Sequence, residues 1–206
     1  DLARILDQPG VNVSARAIFV PDDACHDKEG NEDWFLVEAD YSGAELMMAA
    51  IMAQDDIMID HCQRNLLPDD HPDFFDIHSN ITVQAFKFNC APTKAGLKSV
   101  NASHLRTVGK SVVFGSLYGR GPGAIATAVK EEGVFVTKDE AAAVQRAFFN
   151  TYPNLEPFFL ACRNRVTKPG WMCNMFGRFR RFPHTDDEKK RKAYEREAMN
   201  TPMQGG

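Results

Sequence analysis

Four side chains of complementary chemistry recur every four residues in the segment RTVGKSVVFGSLY: Arg106, Lys110, Phe114 and Tyr118. In an α-helix this spacing advances about 40° per step, so the four side chains fall within about 120° of the helix circumference. A guanidinium and an ammonium group on one face can bind a chain of phosphates, and an aromatic ring one turn further on can stack on a base. The pattern indicates a nucleoside triphosphate site. It is equally compatible with an amphipathic helix that has a solvated basic edge.

A second candidate site lies upstream, where an apolar run leads into an acidic residue. The run from Trp34 to Val37 is typical of a buried strand, and Asp40 follows it in DWFLVEADYSGAEL. A carboxylate at the end of such a strand is held rigidly, and Mg²⁺ prefers one or two carboxylates plus substrate phosphates. An isolated aspartate here is more often a turn former or a helix cap. The four-residue pattern that follows favours the metal-binding interpretation.

Three segments of the chain resemble motifs of DNA polymerase family A, the group that contains bacterial DNA polymerase I and many phage polymerases. They are DYSGAEL (40–46), RTVGKSVVFGSLYG (106–119) and YEREAMNTPMQGG (194–206). The segments FFNTYPNLEPF and WMCNMFGRFRRFP resemble the family's F-x-x-Y-P and G-R-x-R-x-x-P patterns. Such an ordered set of spaced motifs is far more specific than a single glycine-rich loop. Gly43 and Ala44 depart from the usual bacterial residues, which hints at a phage or viral origin.

The resemblance implies an α+β fold, in which a mainly helical fingers subdomain is attached to part of a palm with antiparallel strands. Residues 1–48 would belong to the palm and carry the metal-binding motif, residues 49–165 would form most of the fingers, and residues 166–206 would return to the palm. The family's second metal-binding aspartate motif, thumb and exonuclease regions have no counterpart in the sequence. We therefore expect a fragment that is incomplete for catalysis on its own.

The implied activity is template-directed DNA synthesis, in which a primer 3′-hydroxyl attacks a deoxynucleoside triphosphate and pyrophosphate leaves, with Mg²⁺ as cofactor. By resemblance, Asp40 would ligate both metal ions and the backbone carbonyl of Tyr41 would supply a further oxygen. Arg106 and Lys110 would neutralise the triphosphate, and Lys110 is the candidate general acid. His78, in DIHSNIT, would also contact the phosphates. A lone histidine on a helix is more often structural.

Four residues would contact or leave room for the sugar and base of the incoming nucleotide. Glu45 would lie over the sugar and exclude a ribose 2′-hydroxyl, although a first-turn glutamate also stabilises a helix dipole without any ligand. Phe114 would pack against sugar and base, and Tyr118 would stack near the templating position. Gly115 would leave room for a base pair, because glycine inside a helix is about 1 kcal/mol less favourable than alanine and needs a reason.

Primer-template DNA is the implied macromolecular partner, together with deoxynucleoside triphosphates. The candidate DNA contacts are Gly115, Arg178, Arg180, Arg181, Arg196, Asn200 and Gln204. The three arginines before residue 182 open a run of basic residues that an acidic trio interrupts, so part of that run is also compatible with a solvated surface. The last three contacts recur at four-residue spacing and would line the minor groove, where such side chains reach base acceptors without reading sequence.

Two other functions fit parts of the pattern. A single-subunit RNA polymerase shares the palm, the metal aspartate and an Arg-Lys-Tyr-Gly helix, but Glu45 argues against it because a small residue there would suit ribonucleotides. A non-catalytic nucleic-acid-binding module would retain the fold without turnover. Primer extension with deoxy- and ribonucleotides separates the three.

Composition is consistent with these expectations. The 206 residues are 44% hydrophobic and carry a net charge of −4, which does not exclude a polyanionic partner because the placement of positive charge matters more than its sum. No apolar run is long enough for a membrane span, and the opening DLARILDQPG is not a signal peptide. Five cysteines without CxxC spacing indicate neither zinc nor disulfides.

We expect a cytoplasmic protein of a bacterial or phage-infected cell that is not secreted and has no membrane partner; replisome partners are not identified.

Local patterns predict the elements that position these residues. Short strands are expected over 16–21 and 34–39, and a hairpin over about 170–183. Helices are expected over 45–54, 76–86, 103–118, 138–150 and 188–200, with a further start near Pro153 and Pro157. Thr137 or Asp139 would cap the fourth, and Pro202 would end the last.

Overall fold

Helices dominate residues 43–204, the part of the chain that the computed structural model describes. In this range the elements are α1 (Ala44–Ala53), α2 (Asp56–Asn65), α3 (Ile77–Phe86), α4 (Lys94–Ser99), α5 (Leu105–Leu117), α6 (Pro122–Glu131), α7 (Lys138–Thr151), α8 (Leu155–Thr167), β1 (Trp171–Cys173), β2 (Phe179–Arg181) and α9 (Glu188–Gln204). The two strands pair antiparallel. The predicted α+β class is confirmed. The strands expected over 16–21 and 34–39, with Asp40 and Tyr41, lie outside the described residues.

Side-chain caps set where four of the helices begin. The side chains of Asp55, Asp76, Thr93 and Thr137 each accept a hydrogen bond from the backbone N–H three residues further on. Each cap satisfies a donor that the first turn of a helix leaves unpaired. Thr137, rather than Asp139, is the cap of α7, and Glu140 returns a bond to the Thr137 backbone to complete a capping box. The cap at Asp76 fixes where α3 begins.

Helix α5 forms the centre of the apolar core. It packs against α3, α6 and α7, and also touches α1. Val108, Val112, Val113 and Leu117 are completely buried on its inner side. Burial of this apolar stripe against several helices fixes the rotation of α5, because a half-turn would carry four large apolar side chains into water. The opposite face of α5 is thereby presented outward.

Helices α5 and α3 approach each other closely at Gly109. A Cβ atom added at this position would lie 2.3 Å from Thr82 Oγ1 and 2.6 Å from the carbonyl oxygen of His78. Only glycine permits this spacing without displacing backbone. The contact sets the distance between the helix that carries His78 and the helix that carries the basic face.

The predicted hairpin is confirmed. Trp171 lies opposite Arg181 and Cys173 opposite Phe179 across the two strands. Asn174 closes the turn, since its side-chain oxygen accepts from the N–H groups of Phe176 and Arg178.

Most predicted helices are confirmed to within about two residues at either end. Helices α2, α4 and α6 had not been predicted. The predicted end of the last helix was wrong, because α9 continues through Pro202 to Gln204. Pro202 removes one helical hydrogen bond, the one that a backbone N–H at this position would donate to the Ala198 carbonyl, and its ring is buried. Within residues 43–204 no helix is both long and apolar enough to cross a membrane.

Replacing Gly109 by alanine is expected to destabilise the fold by about 2 kcal/mol, the range of overpacking mutations, because its methyl group would overlap the His78 carbonyl. The matched control is Gly123→Ala, since Gly123 also lies in a helix but has no atom within 4 Å of an added Cβ. The control should leave the free energy of unfolding unchanged or raise it slightly. Urea denaturation measures both. Equal stability of the two variants would contradict the close approach of α3 and α5.

Candidate functional site

The structure brings Arg106, Lys110, Phe114 and Tyr118 to one accessible face of α5. Lys110 is exposed and the other three are partly buried, whereas Val108 and the other inward residues of the helix are fully buried. The predicted shared face is therefore confirmed as geometry. The two cationic groups lie at the beginning and the middle of the helix, and the aromatic rings follow towards its end.

Arg106 is held by a bidentate ion pair with Asp76. Its Nε donates to Asp76 Oδ2 at 2.8 Å and its Nη2 donates to Oδ1 at 3.0 Å. The Asp76 side chain is completely buried and also accepts from the backbone N–H and the hydroxyl of Ser79, while 28% of the Arg106 side chain is exposed. Burial alone raises the pKa of Asp76, but the hydrogen bonds from Arg106 and Ser79 outweigh it and lower that pKa. Asp76 therefore stays ionised and orients the guanidinium.

His78 lies between this ion pair and Phe114. Its ring centroid is 5.9 Å from that of Phe114. Burial, followed by the charges of Arg106 and Lys110, lowers the pKa of His78 to about 4, so the imidazole is neutral at pH 7. Nδ1 is buried and has no hydrogen-bond partner among the described residues. An unpaired buried nitrogen of this kind is unfavourable unless a ligand or water meets it.

Three residues that are distant in the sequence meet at the end of α5. The Tyr118 hydroxyl donates a short hydrogen bond to Glu45 Oε2, and Gln204 Nε2 donates to Glu45 Oε1 at 3.1 Å and to the Tyr118 oxygen at 2.9 Å. Burial and the Glu45 carboxylate raise the pKa of Tyr118 to about 12, so the phenol remains a donor at neutral pH. The cluster joins the beginning of α1, the end of α5 and the end of α9.

Gln145 of α7 is a supporting residue that the sequence did not identify. Its Nε2 donates to Ser116 Oγ at 3.0 Å and to the carbonyl of Arg120 at 3.1 Å. These bonds anchor the last turn of α5 and the loop after it, next to Tyr118. A glutamine in the middle of a helix gives no local signal of such a role.

Gly115 is buried, and its nearest neighbour across the helix contact is Ile125 of α6. A Cβ atom at Gly115 would lie 3.0 Å from Ile125 Cγ1. The close approach that the sequence suggested is therefore present, but it is helix packing. Contact of Gly115 with DNA stays a prediction.

An open groove of about 460 Å³ runs between the hairpin and α9. It is lined by Arg178, Phe179, Arg180, Glu197, Asn200, Thr201 and Gln204. Four of the predicted DNA contacts thus share one surface that leads to the Glu45 cluster. Arg180 Nη2 forms a 2.8 Å ion pair with Glu197, which neutralises part of its charge.

The two other predicted arginines are exposed outside this groove. Arg181 lies on β2 opposite Trp171, and Arg196 projects from α9 beside Gly119. Gly119 has φ +68°, a left-handed conformation that favours glycine, and an added Cβ would lie 3.3 Å from Arg196 Cγ.

Residues 43–204 contain no group of three or more His, Cys, Asp or Glu side chains arranged to hold a metal ion. The predicted ligands Asp40 and Tyr41 lie outside this range. A carboxylate and a backbone carbonyl are nevertheless the hard oxygen donors that Mg²⁺ accepts.

Comparison with known proteins decides the relationship that the motifs suggested. The family model of DNA polymerase family A matches residues 8–206. The chain belongs to DNA polymerase family A. The resemblance inferred from the spaced motifs is confirmed.

Phage and bacterial members of family A are similar over most of the chain. The DNA polymerase of Escherichia phage T5 is 30% identical over 168 residues, which are 75% of this chain and 19% of the phage protein. DNA polymerase I of Pseudomonas aeruginosa is 30% identical over 172 residues, which are 82% of this chain and 16% of that protein. The chain thus spans less than a fifth of the length of these two family A relatives.

A solved family A structure has the same fold. The POL domain of Pol1 from M. smegmatis, in complex with DNA primer-template and dNTP, superimposes with a TM-score of 0.58 at 22% identity. The alignment covers 81% of this chain and 26% of that one. At this identity the likeness establishes the fold and not the site.

Asp76→Asn is expected to lower the free energy of unfolding by about 2 kcal/mol, because it removes the buried partner of Arg106 while an asparagine can still cap α3. Glu197→Gln is the matched control, since the Arg180–Glu197 pair is about half exposed and should contribute at most about 0.5 kcal/mol. Chemical denaturation at low and high salt measures both. Equal losses would show that Asp76 is not a stabilising anchor.

The neutral state of His78 predicts a specific pH dependence. Its pKa is lowered from 6.5 to about 4, so between these values the unfolded chain takes up a proton that the folded chain does not. The free energy of unfolding should fall by up to about 3 kcal/mol as the pH drops from 6.5 to 4, and be unaffected by His78 above pH 6.5. His78→Gln should flatten this part of the profile. Identical acid profiles for both proteins would contradict the assignment.

Proposed function

We propose that this chain is the nucleotide-binding part of a template-directed DNA polymerase, in which a primer 3′-hydroxyl attacks a deoxynucleoside triphosphate and pyrophosphate leaves. The observation that carries the proposal is the convergence of Glu45, Tyr118 and Gln204 beside the cationic face of α5. These residues come from three separate motifs of family A. A structural helix with a solvated edge would not require such a meeting.

The cationic face of α5 would bind the triphosphate. Lys110 is exposed and has no ion-pair partner in the described part of the chain, so its full charge is available to phosphate and to the leaving pyrophosphate. Arg106 is oriented by Asp76 and still partly exposed. His78 is neutral, and its unpaired Nδ1 fits a hydrogen bond to a phosphate or its bound water rather than a charge contact.

Glu45 would exclude ribonucleotides by its fixed position. A carboxylate free to rotate could move away from a 2′-hydroxyl, whereas one held by both Tyr118 and Gln204 cannot do so without breaking hydrogen bonds. Phe114, next to His78, would pack on the sugar and base. This arrangement favours deoxynucleotides and makes a single-subunit RNA polymerase the weaker alternative.

Asp40 and the Tyr41 carbonyl would hold Mg²⁺, since their oxygen atoms match its preference. When bound, the metal activates the primer hydroxyl and stabilises the departing pyrophosphate. Two-metal chemistry also needs a second bridging carboxylate, which no motif identified in this sequence supplies. The activity is therefore proposed for a polymerase that contains this segment.

The division into subdomains follows from the same proposal. Residues 49–165 would be mostly fingers, and residues 1–48 and 166–206 would belong to the palm. Primer-template DNA would lie along the groove between the hairpin and α9. The polymerase would act in the cytoplasm of a bacterial or phage-infected cell.

Primer extension with a polymerase that contains this chain tests the proposal. Asp40→Ala should abolish extension, and Glu45→Ala should lower the preference for deoxy- over ribonucleotides by about tenfold or more, because the carboxylate no longer rejects the hydroxyl. Glu156→Ala is the matched control, since Glu156 is also a first-turn helix carboxylate but lies in α8. It should leave the preference unchanged.

Failure of the wild-type polymerase to extend any primer would leave a nucleic-acid-binding module as the better interpretation. Preferential ribonucleotide addition would favour an RNA polymerase. An equal change in Glu45→Ala and Glu156→Ala would remove the sugar-exclusion role.

A further inference from the structure

The outer face of the hairpin carries an aromatic pair that nothing in the core explains. Phe179 is 64% exposed and Trp171 is 39% exposed. Their ring centroids are 5.1 Å apart at an interplanar angle of 45°. Exposing two large rings in contact with each other is unfavourable in water unless a ligand covers them.

The strand register explains why these rings share a face. Trp171 pairs with Arg181 and Phe179 pairs with Cys173, so the two rings occupy diagonal positions on one side of the hairpin. Met172, the next residue after Trp171 on β1, points to the other side of the hairpin and is buried. The core therefore anchors the hairpin through Met172 and leaves the aromatic side free of it.

Positive charge surrounds the rings. Arg178 and Arg181 are exposed beside them, and neither has an ion-pair partner in the described part of the chain. Alternating arginine and aromatic side chains are typical of surfaces that bind single-stranded nucleic acid, because cations track the backbone while bases stack on the rings. An acidic or purely apolar partner would match only half of this surface.

One ring of the pair, Phe179, lines the groove along α9. Arg178 and Phe179 line that groove together with Gln204, which is hydrogen-bonded to Glu45 and Tyr118. A strand lying in the groove would thus extend from the candidate nucleotide site to the hairpin. The continuity argues for nucleic acid rather than an unrelated partner.

We propose that Trp171 and Phe179 form a stacking site for unpaired nucleotides of the template strand, with Arg178 and Arg181 neutralising the adjacent phosphates. This inference rests on the proposed polymerase function and adds a contact with unpaired bases to it. The site is sequence-tolerant, because every base offers a ring face on which an aromatic side chain can stack.

The test is fluorescence anisotropy with the full polymerase that contains this chain, using a duplex with an unpaired 5′ template overhang and the same duplex with blunt ends. Phe179→Leu keeps apolar bulk but removes the aromatic face. It should weaken binding of the overhang duplex about tenfold, within the range for loss of a stacked base, and weaken binding of the blunt duplex much less. The slope of log affinity against log salt should stay unchanged in this variant but fall by about one in Arg178→Gln.

Matched controls separate stacking from general damage. Phe135→Leu alters another exposed aromatic residue, 77% exposed against 64% for Phe179, in the loop between α6 and α7, and should not change overhang affinity. Trp171→Phe keeps a ring at the site and should retain most of the affinity. Its difference spectrum against wild type isolates the Trp171 emission, which overhang DNA should quench. Thermal unfolding of each variant checks the fold.

Several outcomes would overturn the proposal. Unchanged affinity of Phe179→Leu for the overhang duplex would do so, and so would an equal loss of affinity for the blunt duplex. Failure of acrylamide to quench the Trp171 emission in the DNA-free polymerase would also do so, because other parts of the protein would then cover the rings. Primer extension is recorded in parallel. Wild-type extension with unchanged Phe179→Leu binding defeats this inference alone, whereas absence of wild-type extension defeats the proposed function.

Discussion

The buried ion pair between Asp76 and Arg106 is the interaction on which the candidate site depends. Asp76 fixes the first turn of α3 as its cap and the first turn of α5 through the guanidinium, so one carboxylate sets the relative position of both helices. Removing one partner of such a pair leaves an uncompensated charge and is far more harmful than never having had the pair. The close crossing at Gly109, one turn further along α5, is possible because this end is already fixed.

The same pair shapes the electrostatics of the cationic face of α5. The Arg106 guanidinium is paired with the Asp76 carboxylate. His78 is kept neutral by burial and by the nearby cations. Of these three side chains, only Lys110 is exposed and carries a charge without an ion-pair partner among the described residues. Three potential cations thus have three different states.

Much of the fold could be predicted from the sequence, because helix caps and apolar spacing are local signals. Thr137 correctly placed the beginning of α7, and the four-residue spacing from Arg106 to Tyr118 correctly placed these side chains on one face of α5. The interactions between motifs could not be predicted. Nothing local links Asp76 to Arg106, and the proline rule wrongly ended the last helix before Gln204, because the benefit of burying Pro202 is a property of the packed core.

The wrongly predicted end of the last helix concerns Gln204, the third residue of the cluster with Glu45 and Tyr118. Only because α9 passes through Pro202 does Gln204 reach Glu45 and Tyr118, which lie 159 and 86 residues away in the sequence. A helix that stopped at Asn200 would leave Glu45 with a single hydrogen-bond partner. Its carboxylate would then be held by Tyr118 alone. The polar cluster and the buried proline therefore depend on each other: packing of the proline extends the helix, and the extended helix immobilises the carboxylate proposed to select the sugar.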